Sequence, residues 1–212
     1  MAEHYLEMGS IGWRHEGWKD SYYPDDLPED WQLEFYSHLF RIIALPCSDW
    51  LNASAEDVEQ WREDAGDEFA FFLLLDSADR IEEQIEKLTH LEILLSDSLL
   101  GIVVMQDQIN LSDSVLNELS ERFRVVIDSE KILPDNNRVS VCWRPGRETT
   151  KASVAILTSE QSEKPRQMRE YIESFLQQAA EERELYLLFA GEPPGIKAMQ
   201  DAQVIGQMLT DV

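Results

Sequence analysis

The chain has 212 residues, enough for one domain with a substantial core, and carries 18 Lys and Arg against 42 Asp and Glu, a formal net charge of −24. That balance argues against a nucleic-acid backbone, which needs clustered cations, and against an anionic membrane surface. No run of about 18 apolar residues marks a transmembrane helix, and MAEHYLEMGS lacks the basic and apolar segments of a signal peptide, so a cytoplasmic protein is expected.

The first strand is expected over Leu6 to Ile11. A long loop with Trp13, Trp18, Tyr22, Tyr23 and Pro24 follows, and Asp30 is placed to cap a helix from Trp31 to Leu39. Arg41 to Leu45, stopped by Pro46, is a buried second strand. Ser54 and Asp57 approximate a capping box for a helix that Gly66 ends. Phe69 to Leu75, continuous apolar sequence, reads as a strand covered on both faces. A helix from about Ala78 and a second helical piece over Leu91 to Asp97 lead to a fourth strand, Gly101 to Met105. Ser112 caps the next helix, and Arg124 to Ile127 is the fifth strand.

The rhythm then breaks. Pro134 to Asn137 is a turn cluster, Val139 to Trp143 the sixth strand and Ser153 to Leu157 the seventh, with no room for ordinary helices between strands five, six and seven. Lys164 to Arg183 carries a wide apolar stripe through Met168, Ile172 and Phe175. Glu184 to Phe189 is the eighth strand, and Ile196 to about Leu209 the last helix. Strand–helix alternation predicts parallel strands, and eight units close naturally into a compressed TIM-like (β/α)₈ barrel spanning 1–212 as one domain. An open doubly wound sheet is the rival, because counting strands does not show closure.

Gly9, Gly12 and Trp13 lead into Trp18, Lys19, Tyr23 and Pro24, then Leu27 and Pro28, then Trp31, Leu33, Phe35 and Tyr36, with His38 and Phe40 at the helix end. This stretch resembles the opening of the YecE-like family, also called domain of unknown function 72. Its pattern is G-x-x-G-W, W-[KR]-G-x-[FY]-Y-P, L-P and W-L-x-[FY]-Y. Gly101 to Gln106 resembles its fourth strand, and Phe189 to Ala202 its closing element, retaining Phe189, Gly195, Ala198 and Ala202. The resemblance implies a TIM-like barrel and carries no activity with it.

The departures are as informative. Where the family's strand ends carry Glu, Asn, Lys, Arg and His, the aligned positions here are Ala44, Pro46, Leu74, Val126, Asp128, Ala155, Leu157, Thr158, Ala190 and Gly191. Barrel enzymes gather their working groups at those ends. Losing several together removes general acids, bases and anion clamps. The expectation is a divergent, non-catalytic binding or interaction protein, with a divalent-cation-dependent hydrolase as the alternative.

Candidate site residues follow from position. Trp13, Trp18 and Tyr23 either line a surface for a planar or sugar-like ligand or pack the loop onto the rim, the commoner role. His15 sits where a mouth-facing histidine would, beside Glu16, a pair of types that can transfer protons. Gln106 is kept from the family strand, and Arg144 and Arg147 form a basic spot able to clamp an anion. Asp49, Asp76, Asp107, Asp128 and Glu192 follow strands and would ring one rim; Asp76, Asp107 and Asp128 are the candidate metal ligands, though carboxylates there also serve as caps. No phosphate loop, dinucleotide fingerprint or nucleophile elbow points to a cofactor. Cys47 and Cys142 make neither a disulfide framework nor a metal motif. Two missing helices would leave apolar wall near strands five to seven for a partner or a second copy to cover.

Overall fold

In the computed structural model the apolar runs become eight parallel strands of one sheet. The structure describes residues 4–19, 21–77, 81–105, 111–129, 139–149, 151–179 and 184–210. The strands are β1 (Tyr5–Ile11), β2 (Ile42–Leu45), β3 (Ala70–Leu75), β4 (Leu99–Met105), β5 (Val125–Asp128), β6 (Val139–Val141), β7 (Val154–Thr158) and β8 (Glu184–Ala190). Their order is β6-β5-β4-β3-β2-β1-β8-β7.

The two ends of that order meet. Trp143 N donates to Val154 O at 2.9 Å and Ile156 N to Trp143 O at 3.1 Å, a single parallel bridge between Trp143 and Ala155. The sheet is therefore a nearly closed (β/α)₈ barrel rather than an open doubly wound sheet.

Helices α1 (Gln32–Ser37), α2 (Cys47–Trp50), α3 (Ala55–Ala65), α4 (Ile81–Leu95), α5 (Asp113–Arg122), α6 (Ser159–Ser162), α7 (Pro165–Gln178) and α8 (Ile196–Thr210) connect the strands. The Ser54–Asp57 capping box forms as the spacing predicts, and Ser112 caps α5. Asp30 does not cap α1: a 3₁₀ turn over Glu29–Trp31 starts after Pro28, and α1 begins one residue later with Trp31 at its N-cap. The expected break before Leu91 is also absent. No Gly or Pro interrupts α4, which runs to Leu95 before Ser96 turns to φ 47 in a 3₁₀ turn.

Alternation along each strand sorts side chains into two layers. Inside the ring lie Ile42, Ala44, Phe72, Leu74, Val103 and Val126, with Ile156 and Leu188 opposite. Outside, facing the helices, lie Phe71, Leu73, Val104, Ile127, Leu157 and Leu187. Phe69 to Leu75 is apolar throughout because both layers claim its residues.

The expected bare wall near strands five to seven narrows to β6, whose outward Val139 and Val141 are only half-buried. The outward side chains of β5 and β7, Val125, Ile127, Ala155 and Leu157, are fully buried within the chain. Trp143 fills the seam, its ring 5.9 Å from Phe175 and 6.4 Å from Tyr171 of α7. One large indole thus does part of a helix's work. No helix lies between β6 and β7 among the described residues. Residues 130–138, with the Pro134 turn cluster, lie outside the described residues.

Candidate functional site

The C-terminal ends of the strands form the rim where barrel chemistry gathers. Among the described residues two polar groups occupy it, one after β5 and β6, the other after β1, β2, β3 and β8.

The first centres on Asp128. Its register partner on β4 is Met105, and its strand position has the same inward parity as Val126. Arg144, just past the seam, donates from Nε to Oδ1 and Oδ2 at 2.9 Å each and from a terminal nitrogen to Oδ2 at 2.5 Å. Arg147 donates to Oδ1 at 2.6 Å. Asp128 is 4% exposed. A buried carboxylate is tolerable when paired and hydrogen-bonded in this way. The turn through Pro145 and Gly146 makes this possible: Arg147 N donates back to Arg144 O at 3.0 Å, bringing both guanidiniums to one side. Neighbouring Cys142 is fully buried, and burial, with the Asp128 charge beside it, pushes its thiol well up. It is a packing residue, not a nucleophile.

The second group begins at Gly12, whose φ of 76° turns the chain out of β1. His15 then folds back, with Nε2 2.9 Å from Ile11 O and Nδ1 3.2 Å from a Glu192 carboxylate oxygen after β8. Asp76, after β3, accepts from Cys47 N at 3.2 Å. Asp49 on α2 feels the charges of Arg14, His15 and Glu192. Burial raises both aspartates above the ordinary carboxylate range, although Arg14 opposes it at Asp49 and the Cys47 amide at Asp76.

The loop aromatics lie beneath this rim, not on it. Trp13, Trp18 and Tyr23 are at most 2% exposed. Trp18 Nε1 donates to Pro194 O at 2.8 Å, and Tyr23 OH to Trp13 O at 2.8 Å. Their faces meet protein: Trp13 packs edge-on to Trp61, and Trp18 stacks near Tyr36. Of the two readings given for these three, burial supports packing over a ligand surface, because side chains of α1 and α3 (Phe35, Tyr36 and Trp61) lie against their rings.

The remaining candidates divide. Asp76 and Asp128 belong to separate groups, and Asp128 is engaged by two arginines rather than open to a cation. No set of three or more His, Cys, Asp or Glu side chains converges as metal ligands among the described residues. Gln106 and Asp107 lie outside the described residues. Arg144 and Arg147 clamp an anion, as their types suggest, but that anion is the chain's own Asp128. Ala44, Leu74, Val126 and Ala190 do face the interior, whereas Ala155 and Leu157 face the helices and Ile156 takes the inward place. His15 pairs with Glu192, 177 residues away, not with adjacent Glu16, which turns to Lys19 at 3.0 Å.

Sequence reasoning missed one further buried polar group. Tyr36 OH accepts from Ser10 N at 2.8 Å and donates to Ile42 O at 3.1 Å, pinning α1 to β1 and β2. The G-S-I-G and helix-end motifs held both residues, but only folding brings them together.

Residues 7–78 match the family model described as protein of unknown function DUF72. No curated protein matches the chain. The fold is similar to that of a DUF72 family protein from Thermotoga maritima, 16% identical, TM-score 0.61, covering 97% of this chain and 99% of that one. A DUF72 family protein from Enterococcus faecalis is 10% identical, with TM-score 0.61 and full coverage of both chains. A D-psicose 3-epimerase crystallised with D-fructose shares the barrel at 11% identity, TM-score 0.53, covering 97% and 99%. The matched family model, the motifs from Gly9 to Phe40 and a barrel superposable on DUF72 family proteins agree: residues 7–78 are similar to the DUF72 family's opening segment, and the chain as a whole shares the fold of those proteins.

Proposed function

We propose that this barrel is a non-catalytic member of the DUF72 family that works by binding rather than by turnover. The observation that carries the reading is the state of Asp128. It is the carboxylate at an inward strand position of the C-terminal end, and two arginines occupy its oxygens. A general base or metal ligand needs an oxygen open to the reacting group. His15 supports the same reading, since both its ring nitrogens are engaged by protein acceptors. Around them the interior wall is Ala44, Leu74, Val126 and Ala190. The surface left for a ligand is the exposed outside of the rim loops, where Arg14, Glu16 and Glu192 stand. Both cysteines are buried thiols outside any disulfide, which supports a reducing, cytoplasmic setting.

The test is to screen small molecules by thermal shift with and without Mg²⁺, Mn²⁺ or Zn²⁺, then incubate each binder and recover it. Binders are expected back chemically unchanged, with no requirement for metal. A product that forms with the wild type and disappears with Asp76→Asn would instead establish a cation-dependent hydrolase on the acidic rim.

A further inference from the structure

We propose that the outer face of α8 is a self-association surface through which two copies of this chain pair about a two-fold axis. Among the described residues six large apolar side chains stand in solvent: Tyr5, Trp31, Leu39, Ile93, Val204 and Met208. Four of them, Tyr5, Leu39, Val204 and Met208, belong to α8 or to the segments beside it. Tyr5, Leu39 and Val204 line one groove of about 610 Å³, with Gln200, Gln203 and Gln207 along its α8 side. Met208 stands one turn beyond Val204 on the same helix face and is 64% exposed. An apolar ridge and a groove thus lie side by side, the arrangement that helix packing uses.

Both walls of the groove are fixed. A Cβ at Gly206 would stand 2.6 Å from Met8 Cε, so the inner face of α8 lies directly on β1. Gln203 Nε2 donates to Leu39 O at 2.9 Å, which ties the turn after α1 to α8. The surface is offered to a partner without rearrangement.

Charge selects the partner. The chain carries −24, and helices elsewhere show it: α3 has Glu56, Asp57, Glu59, Glu63 and Asp64 against Arg62. α8 has one acid and one base, Asp201 and Lys197, and they pair at 3.0 Å. The groove adds Glu7 and Arg41, again one of each sign. α7 is balanced too, Arg166 and Arg169 against Glu170 and Glu173, yet presents no large apolar side chain to solvent. A basic partner finds its attraction on the acidic helices, not here. A second copy, repelled wherever both are acidic, meets least repulsion on α8. The glutamine row also suits a copy, because a side-chain amide is both donor and acceptor and complements itself across a two-fold axis. With the axis beside Val204, the Val204–Met208 ridge of each protomer lies in the groove of the other.

Sedimentation velocity of the full chain from about 1 to 500 μM is expected to show a monomer–dimer equilibrium with a micromolar Kd, the range of small interfaces. Raising NaCl from about 20 to 500 mM should tighten it severalfold, because salt screens the repulsion between two acidic copies. Val204→Glu and Val204→Lys should each be monomeric throughout, while an equimolar mixture of the two associates again through opposite charges across the axis. Both should keep the fold, since Val204 is 53% exposed, and circular dichroism melting checks this. Ile93→Glu, on an exposed position of α4, should leave the dimer unchanged. A strict monomer at the highest concentration would leave the face to a different partner and overturn the proposal. So would a dimer that salt weakens, that survives Val204→Glu or that Ile93→Glu abolishes, or a mixture that stays monomeric.

Discussion

Arg144 holds Asp128 side-on, its Nε equidistant at 2.9 Å from both carboxylate oxygens, across 16 residues and the narrowest seam of the barrel. The pair fastens the segment after β6 to the end of β5 just where the hydrogen-bonded ladder gives out, since among the described residues a single bridge, Trp143 to Ala155 beyond the end of β6, joins the two ends of the sheet. Its side-chain exposures, 17% for Arg144 and 6% for Asp128, place it among buried rather than surface ion pairs.

Asp128→Asn should therefore destabilise the fold by about 3 kcal/mol, because it leaves two half-buried guanidiniums facing a neutral amide. Arg147→Ala should cost less, about 1.5 kcal/mol, since the bidentate Arg144 contact persists. Urea unfolding followed by circular dichroism measures both. Equal, negligible losses would show that the cluster contributes nothing to closing the barrel.

Tyr36→Phe tests the second buried polar group. The hydroxyl serves Ser10 N and Ile42 O inside a fully buried site. Removing it orphans a strand amide, at a cost of about 1–3 kcal/mol. The same unfolding experiment reads it, and Phe keeps the ring contacts with Phe40 and Phe69.

Gly9→Ala tests how closely β1 and β2 approach. A Cβ at Gly9 would stand 2.1 Å from Ile42 O, a backbone atom that cannot rotate away. The strands must part, and a loss of about 3 kcal/mol or failure to accumulate as soluble protein is expected. Native-like melting of this variant would refute the packing.

Asp49→Asn should raise the melting temperature at neutral pH. Burial raises the folded-state pKa of Asp49 above its unfolded value, so the ionised form is disfavoured in the fold. A carboxylate shifted upwards favours folding when protonated, and that contribution is lost as pH rises through the folded-state pKa. The advantage of the amide should thus be full above that pKa and shrink as pH falls towards the unfolded carboxylate range. Differential scanning calorimetry from acid to neutral pH follows it. A gain that grows on acidification would reverse the sign and refute the assignment.

Much of the barrel was legible because its signals are local. Phe69–Leu75 announces a strand buried on both faces within seven residues, and Ser54–Asp57 announces a helix start within four. α2 and α6 escaped because four residues carry no readable period, although the Thr158–Gln161 capping box was there to be seen. Ala155 and Leu157 were assigned to the mouth because parity within a strand cannot be read without its register against β8, which places Ile156 inward beside Leu188.

By itself, then, the sequence determined the strand count, the family motif from Gly9 to Phe40 and an apolar barrel lining, because short-range composition and spacing carry that information. Only the tertiary structure decided who partners whom. It gave Asp128 to Arg144 and Arg147, His15 to Glu192, and the loop tryptophans to the core. The reason is physical: a side chain's charge and hydrogen bonds are settled by neighbours that ring closure brings from up to 177 residues away, and no local pattern encodes that meeting.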